Sequence, residues 1–320
     1  MSRVVITGRI PPEAVELLRA EHDVWAWEQA TPISRPELVE RVAGADALVT
    51  LLTEKVDAEL LDAAGAQLQV VANVAVGYNN IDVPACRERG VIATNTPGVL
   101  TEATADIAMA LILMSTRRLA EGERVIREQQ PWQWGMYFML GTSIQGRQLG
   151  IVGMGQIGAA LARRAKAFGM TIAYSNRNEI APALAKELGC VRLDLAELLA
   201  SSDVVSLHCP YSPATHHLIG ATELATMRPN SFLINTARGP VVDEVALADA
   251  LRHGSIAGAG LDVFENEPAV HADLLDLDNA VLLPHLGSAT IETRTSMAVL
   301  AATNALAVLR GDAAPTPITG

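Results

Sequence analysis

Residues 149–158 read Leu-Gly-Ile-Val-Gly-Met-Gly-Gln-Ile-Gly, an apolar run that feeds a Gly153-x-Gly155-x-x-Gly158 turn. An amphipathic stretch follows and runs to Ala167-Phe168. Strand, glycine turn and helix in that order make the dinucleotide fingerprint, which few folds accommodate. Gly153 permits the tight turn, Gly155 lets the backbone approach a pyrophosphate, and Gly158 lets the helix pack against the strand. Gln156 and Ile157 open that helix, whose N-terminus offers free N–H groups and a positive dipole end to phosphates.

The next strand, Met170-Thr-Ile-Ala-Tyr174, ends at Ser175-Asn176-Arg177. A site for NAD normally places Asp or Glu here to accept from the ribose 2′-hydroxyl. Ser175 takes that place. A carboxylate repels a 2′-phosphate, whereas a hydroxyl, an amide and a guanidinium all donate to one. A single arginine such as Arg177 is often an ordinary solvated residue, but the missing acid and the Ser-Asn-Arg cluster together favour NADP(H). NAD(H) stays open.

The 320 residues suffice for two domains with substantial cores. Half of them are hydrophobic and only 4% aromatic, a soluble α/β composition rich in Ala, Leu and Val. The longest membrane candidate, Ile107–Met114, is an eight-residue run between Asp106 and Arg117-Arg118, too short to span a bilayer. Met1-Ser-Arg-Val-Val-Ile enters a strand directly without a signal peptide, so the expected location is cytoplasmic. A net charge of −12 argues against nucleic acid as a partner. Cys86, Cys190 and Cys209 lack metal or CxxC spacing and read as reduced packing residues, with no metal expected.

Strand-like and helical runs alternate almost throughout, which signals parallel sheets. Strands are expected at 4–6, 24–26, 47–50, 70–72 and 91–93, then at 148–152, 171–175, 203–208, 231–235, 257–261 and 280–283. Two doubly wound units fit this better than one eleven-stranded sheet. The turn Asn95-Thr96-Pro97-Gly98 is the candidate hinge, and a long helical stretch is expected from Glu102 to about Glu128. The last helix, about 291–310, follows the final strand and is expected to return to the first unit. This gives a discontinuous domain, 1–98 with 289–320, and a dinucleotide-binding domain, 99–288. The tail from Gly311 to Pro317 is expected to be loose.

Ligands of an open α/β sheet bind outside the carboxyl ends of its strands. Three strands after the glycine turn end in polar groups: 231–235 before Arg238, 258–264 before Glu267, and 281–284 before His285. Arg238 can hold a carboxylate through a bidentate fork and polarise the adjacent carbonyl. Histidine is the only type of side chain here that titrates near neutrality without help, so His285 can protonate a developing alkoxide. Glu267, bonded to the other imidazole nitrogen, would fix its orientation and favour the imidazolium. This set suits hydride transfer to a 2-keto acid. Of the other histidines, His208 sits in a strand-end Leu-His-Cys-Pro run and is expected to line the cofactor groove, His216-His217 suit a loop or helix start, and His22, His253 and His271 suit the surface.

Four ordered segments carry a family resemblance: Gly153-Met-Gly-Gln-Ile-Gly158, Asn235-Thr-Ala-Arg-Gly-Pro240, Gly260-Leu-Asp-Val-Phe-Glu-Asn-Glu-Pro268 and Leu283-Pro-His-Leu-Gly-Ser-Ala289. Over essentially its full length the chain resembles the D-isomer-specific 2-hydroxyacid dehydrogenases. The resemblance implies a Rossmann-type cofactor domain, a flavodoxin-like substrate domain and a homodimer built on the cofactor domain. It also implies that Arg238, Glu267 and His285 are catalytic, that Asp262 lies near the nicotinamide, and that Thr236 and Ala237 belong to the cofactor groove.

Within the family, Leu51-Leu-Thr-Glu-Lys55, Asn73-Val-Ala-Val-Gly-Tyr-Asn-Asn-Ile81, Trp134 and Leu140-Gly141 resemble the glyoxylate/hydroxypyruvate reductases. That likeness implies substrate contacts from Leu52, and from the backbone N–H groups of Val76 and Gly77 opposite Arg238. It also implies that Trp132 or Trp134 reaches a partner's site, or else anchors a dimer interface. Met136 stands where many relatives have proline, and Asn79 where aspartate is usual; both leave substrate preference open. The implied activity is an NADP(H)-preferring reduction of small 2-keto acids, glyoxylate and hydroxypyruvate first.

Relatives that oxidise 3-phosphoglycerate commonly add a regulatory domain and an acid at the second strand, and this chain has neither. Phosphite dehydrogenases carry a lysine where this chain has Ala75-Val76-Gly77, and formate dehydrogenases lack the Glu267 equivalent. A 2-ketogluconate or other 2-keto-acid reductase, or an NAD-dependent D-2-hydroxyacid dehydrogenase, remains as an alternative. A nucleotide-sensing, co-repressor-like protein is the remote one, disfavoured because the chain begins and ends near the domain edges.

Overall fold

The computed structural model describes residues 1–319. The chain divides into two compact units, one formed by Met1–Leu100 with the segment from Ala289 onward, the other by Thr101–Ser288. The first crossing falls just past the Asn95–Gly98 turn.

The first unit alternates β1 (Arg3–Ile6), α1 (Pro12–Arg19), β2 (Asp23–Ala26), α2 (Arg35–Val42), β3 (Ala47–Thr50), α3 (Ala58–Ala64), β4 (Val70–Asn73), α4 (Val83–Glu88) and β5 (Ile92–Thr94). Side-chain caps set helix starts: Asp57 accepts from Leu60 N–H at 3.2 Å and Asp82 from Ala85 N–H at 2.9 Å. The strands pair in parallel in the order β2-β1-β3-β4-β5, the flavodoxin-like arrangement. Both faces are buried. Val4, Ile6, Ala47, Val49, Val70 and Ala72 enter one core, and Val5, Leu48 and Val71 the other.

The helix Ile291–Leu309, capped by Thr290, covers the first of those faces with Ala298, Ala301, Ala302 and Ala305. Their small side chains let a helix lie close to the strands. The tail beyond it is packed rather than loose. Thr316 donates its N–H to Asn304 Oδ1 at 2.9 Å, accepts from Asn304 Nδ2 at 2.8 Å, and donates its hydroxyl to Asn95 O at 2.6 Å. Ile318 N–H donates to Ala93 O at 2.8 Å. The reason is the open backbone edge of β5, which a Pro- and Thr-rich segment can still pair.

The second unit contains α5 (Thr101–Thr116), α6 (Leu119–Arg127), β6 (Gln148–Val152), α7 (Gln156–Ala167), β7 (Thr171–Ser175), α8 (Pro182–Leu188), β8 (Val191–Arg192), α9 (Leu195–Ser201), β9 (Val204–Leu207), α10 (Ala221–Thr226), β10 (Phe232–Asn235), α11 (Glu244–Arg252), β11 (Gly258–Leu261), α12 (Ala272–Leu275) and β12 (Ala280–Leu282). Its seven parallel strands run β12-β11-β10-β9-β6-β7-β8. The order reverses between β6 and β9, where doubly wound sheets bind nucleotides.

Two expectations change here. The sheet gains β8, whose two residues are too few for periodicity to reveal. The long helical stretch breaks into α5 and α6 because Arg118 adopts a left-handed conformation with φ of 55°. No helix among the described residues is long and apolar enough to cross a membrane.

Asn304→Ala should lower the stability of the first unit by roughly 1 kcal/mol, since it removes both bonds between buried Asn304 and half-buried Thr316. Thermal unfolding and limited proteolysis check this; an unchanged midpoint with an equally protected tail would show that the pairing contributes nothing.

Candidate active site

The glycine turn has the geometry its sequence calls for. Gly153 sits at φ of 97°, and a Cβ there would lie 2.5 Å from Cys209 N. A Cβ on Gly155 would meet nothing within 4 Å, so open space lies beside the backbone there. The α7 N-terminus has no side-chain cap, which leaves the N–H groups of Gln156 and Ile157 for a ligand. Gly153 N–H donates to Ser175 O at 3.0 Å, and Met154 N–H to Asn176 Oδ1 at 2.6 Å, tying the turn to the end of β7. Thr236 Oγ1 is buried without a partner. An open backbone cradle, free helix-end donors and an orphaned hydroxyl fit a bound dinucleotide.

Arg238, Asp262, Glu267 and His285 follow β10, β11 and β12 at their carboxyl ends. His285 Nδ1 lies 2.8 Å from Glu267 Oε2, while Glu267 Oε1 accepts from Phe264 N–H at 3.0 Å. Burial pushes the Glu267 carboxyl up, but the His285 bond, the Phe264 N–H and the charge of Arg238 leave it below the usual carboxylate range. Burial draws the Arg238 guanidinium below its ordinary value, against the pull of Glu267. Arg238 Nη1 also donates to Ala237 O at 2.7 Å.

His285 holds a left-handed backbone with φ of 54°, a conformation that costs an L-residue roughly 1–2 kcal/mol. Asp262 supports it. Its two carboxylate oxygens accept from Leu286 and Gly287 N–H, each at 2.7 Å. Asp262 is buried, and burial raises its carboxyl above the usual range despite those two donors and the nearby His285. In this chain, then, Asp262 braces the turn that carries the histidine.

Further braces were not visible in the sequence. Buried Asn235 closes the Arg238 turn, donating to Arg238 O at 3.0 Å and accepting from Ala237 N–H at 3.0 Å; an Asn at a strand end was the available signal. Gly239 packs so tightly on the next loop that a Cβ would fall 1.8 Å from the Phe264 carbonyl carbon. Glu244 and Glu265 exchange bonds: Glu244 accepts from Glu265 N–H at 2.7 Å, and Glu265 from Glu244 N–H at 2.9 Å. Burial raises the Glu244 carboxyl, and nothing local in the sequence marks this pair.

The first unit gathers Leu52, Val76 and Gly77 beyond β3 and β4. The carbonyls of Ala75, Val76 and Gly77 are all engaged, by Thr96 N–H at 2.8 Å, Asn95 Nδ2 at 2.8 Å and Asn73 Nδ2 at 3.1 Å. The N–H groups of Val76 and Gly77 find no acceptor among the described residues. Buried Glu54 accepts from Leu51 N–H at 2.6 Å and Thr7 Oγ1 at 2.7 Å, bracing the Leu52 turn.

Trp134 lies on an exposed segment of the second unit, and Trp132 stacks on Phe138 at 6.0 Å. His208 bonds Ser206 Oγ at 2.8 Å, and burial pushes its imidazole down to about 4. His22, expected at the surface, has both ring nitrogens buried, and His271 has Nδ1 buried.

Residues 109–287 match the family described as D-isomer specific 2-hydroxyacid dehydrogenase, NAD binding domain. A glyoxylate reductase of Thermococcus onnurineus is 49% identical over 319 residues, 98% of this chain and 95% of that protein. A solved protein from Thermus thermophilus superposes with a TM-score of 0.92 at 43% identity, covering 99% of this chain and all of that one. The NADPH-dependent glyoxylate/hydroxypyruvate reductase of Sinorhizobium meliloti, in complex with NADP and malonate, gives 0.87 at 36% identity, covering 99% and 97%. The chain belongs to the D-isomer-specific 2-hydroxyacid dehydrogenases. It is therefore an oxidoreductase that works with a nicotinamide cofactor and a small keto or hydroxy acid.

The depressed value at Glu267 gives a signed pH dependence. Its contribution to stability is present at neutral pH and above, and is lost as pH falls through the depressed value. Glu267→Gln removes it, so the stability gap between wild type and variant should be widest near neutrality and narrow toward acid. Urea midpoints from neutral pH down to about pH 3, well below the usual carboxylate value, measure the gap; one that widens toward acid contradicts the pairing.

Proposed function

We propose that this enzyme reduces small 2-keto acids to 2-hydroxy acids, glyoxylate and hydroxypyruvate first, with NADP(H) preferred over NAD(H). The observation that carries the reaction is the 2.8 Å contact between His285 Nδ1 and Glu267 Oε2 at the carboxyl ends of the strands. The nicotinamide, when bound, supplies a hydride to the keto carbon. With Nδ1 engaged, His285 keeps Nε2 to donate its proton to the carbonyl oxygen as that oxygen gains charge. Glu267 fixes the ring through Nδ1. Arg238 grips a carboxylate and polarises the neighbouring carbonyl. Val76 and Gly77, with free N–H groups and engaged carbonyls, offer donors to an anion, and Leu52 is the proposed apolar substrate contact.

Gly153, Gly155, Gln156, Ile157 and Gly158 would hold the cofactor's pyrophosphate, and Thr236, Ala237 and Asp262 would lie toward its nicotinamide. The NADP(H) preference rests on Ser175 in place of an acid, on Asn176, and on the exposed guanidinium of Arg177, which meets no carboxylate among the described residues. Asn176 Oδ1 is occupied by Met154 N–H, so its Nδ2 is left as a donor. The Sinorhizobium meliloti relative, NADPH-dependent by name, supports the same preference. The exposed apolar run Trp132, Trp134, Met136, Tyr137 and Leu140 suits a homodimer through the cofactor domain, with a tryptophan contributed to the partner.

Initial rates of NADPH and of NADH oxidation with glyoxylate test the whole reading. Rapid turnover with strong NADPH preference is expected; activity with NADH alone keeps the reaction and overturns the cofactor preference. His285→Ala should abolish turnover while NADPH binding stays nearly intact, because the proton is needed mainly in the transition state. A loss of NADPH affinity as large as the loss of rate would remove that role.

A further inference from the structure

We infer that Arg192 determines specificity for the ribose 2′-phosphate, by holding the Asn176-Arg177 backbone in its receiving conformation and adding positive charge beside Arg177. This rests on the NADP(H) reading above. Arg192 lies on β8, in register with Tyr174, the residue just before Ser175. Its Nη2 donates to Asn176 O at 2.9 Å and to Arg177 O at 3.0 Å, and its Nη1 lies 3.5 Å from Glu179 Oε1. One guanidinium thus spans the carbonyls of the two residues whose side chains would meet the phosphate.

That geometry has two effects on an incoming dianion. Carbonyl oxygens directed at a phosphate would repel it, and here two of them are turned to a cation instead. The bond from Met154 N–H to Asn176 Oδ1 at 2.6 Å completes the clasp, so the loop is held both at its backbone and at its amide side chain. Glu179 is the acid within reach of Arg192, and it is itself largely exposed, with 79% of its side chain accessible, so it neutralises the guanidinium weakly. Asn176, Arg177 and Arg192 therefore form one positively charged corner at the end of β7. A lysine at 192 would keep the charge but lose the planar, pre-oriented Nη2 that serves both carbonyls while Nη1 faces Glu179.

The experiment compares dissociation constants of NADPH and NADH, by quenching of intrinsic fluorescence, for wild type, Arg192→Ala and Arg192→Lys at fixed ionic strength. Arg192→Ala should weaken NADPH about tenfold or more, the scale of a lost charge-assisted interaction, and leave NADH nearly unchanged. Arg192→Lys should resemble Arg192→Ala; resemblance to wild type would overturn the bracing role. Equal weakening of both cofactors, or of neither, would overturn the inference. A wild type that binds NADH as tightly as NADPH defeats the preference reading alone, because the role of Arg192 is read from the change in ratio between wild type and variant.

Discussion

A buried carboxylate at the end of β11 keeps a histidine in a backbone conformation that its side chain resists. Asp262 accepts from the two N–H groups that follow His285, and those bonds offset the strain of the left-handed turn. An ionised group out of water is costly unless its oxygens are satisfied, and here both oxygens are. The aim of the imidazole toward Glu267 therefore depends on a group that need touch no substrate.

The remaining loops are fixed by the same kind of device. Asn235 closes the turn that bears Arg238, Gly239 lies flush on the Phe264 carbonyl, and Glu244 with Glu265 ties α11 to the loop that carries Glu267. Asn235 closes the β10 turn on itself, Gly239 and Glu244 join the segment after β10 to the loop after β11, and Asp262 joins β11 to the loop after β12. The groups proposed to act together are thereby carried on braced loops at one end of the sheet, an arrangement that would leave little rearrangement for a reaction.

Much of this was legible in the sequence, for physical reasons. Alternating apolar runs disclose strands buried on both faces, and the spacing of Gly153, Gly155 and Gly158 discloses the turn. Arg238, Glu267 and His285 stood out because charged groups at strand ends have few structural uses. What escaped notice depends on contacts between distant residues. Glu244 and Glu265 lie 21 positions apart and look like surface acids until the loops fold together. β8 is two residues long, and Val191 and Arg192 show no alternation. The break at Arg118 carries neither glycine nor proline. Thr316 finds Asn304 and Asn95 only once β5 presents its edge. In each case the deciding partner lies beyond the window in which a periodic pattern can be read.

The discontinuity of the first unit has a consequence for how the chain is made. Val4, Ile6, Ala47, Val49, Val70 and Ala72 form a sheet face that is covered by Ala298, Ala301, Ala302 and Ala305. On the ribosome those alanines emerge only after all of Thr101–Ser288, a delay of roughly 10 to 40 seconds at ordinary rates of elongation. Throughout that interval the nascent first unit lacks the cover for that apolar face, and by its end the second unit has its whole sequence outside or nearly so. The second unit is the natural first folder, and the earlier-made half of the protein is the one that calls for a chaperone.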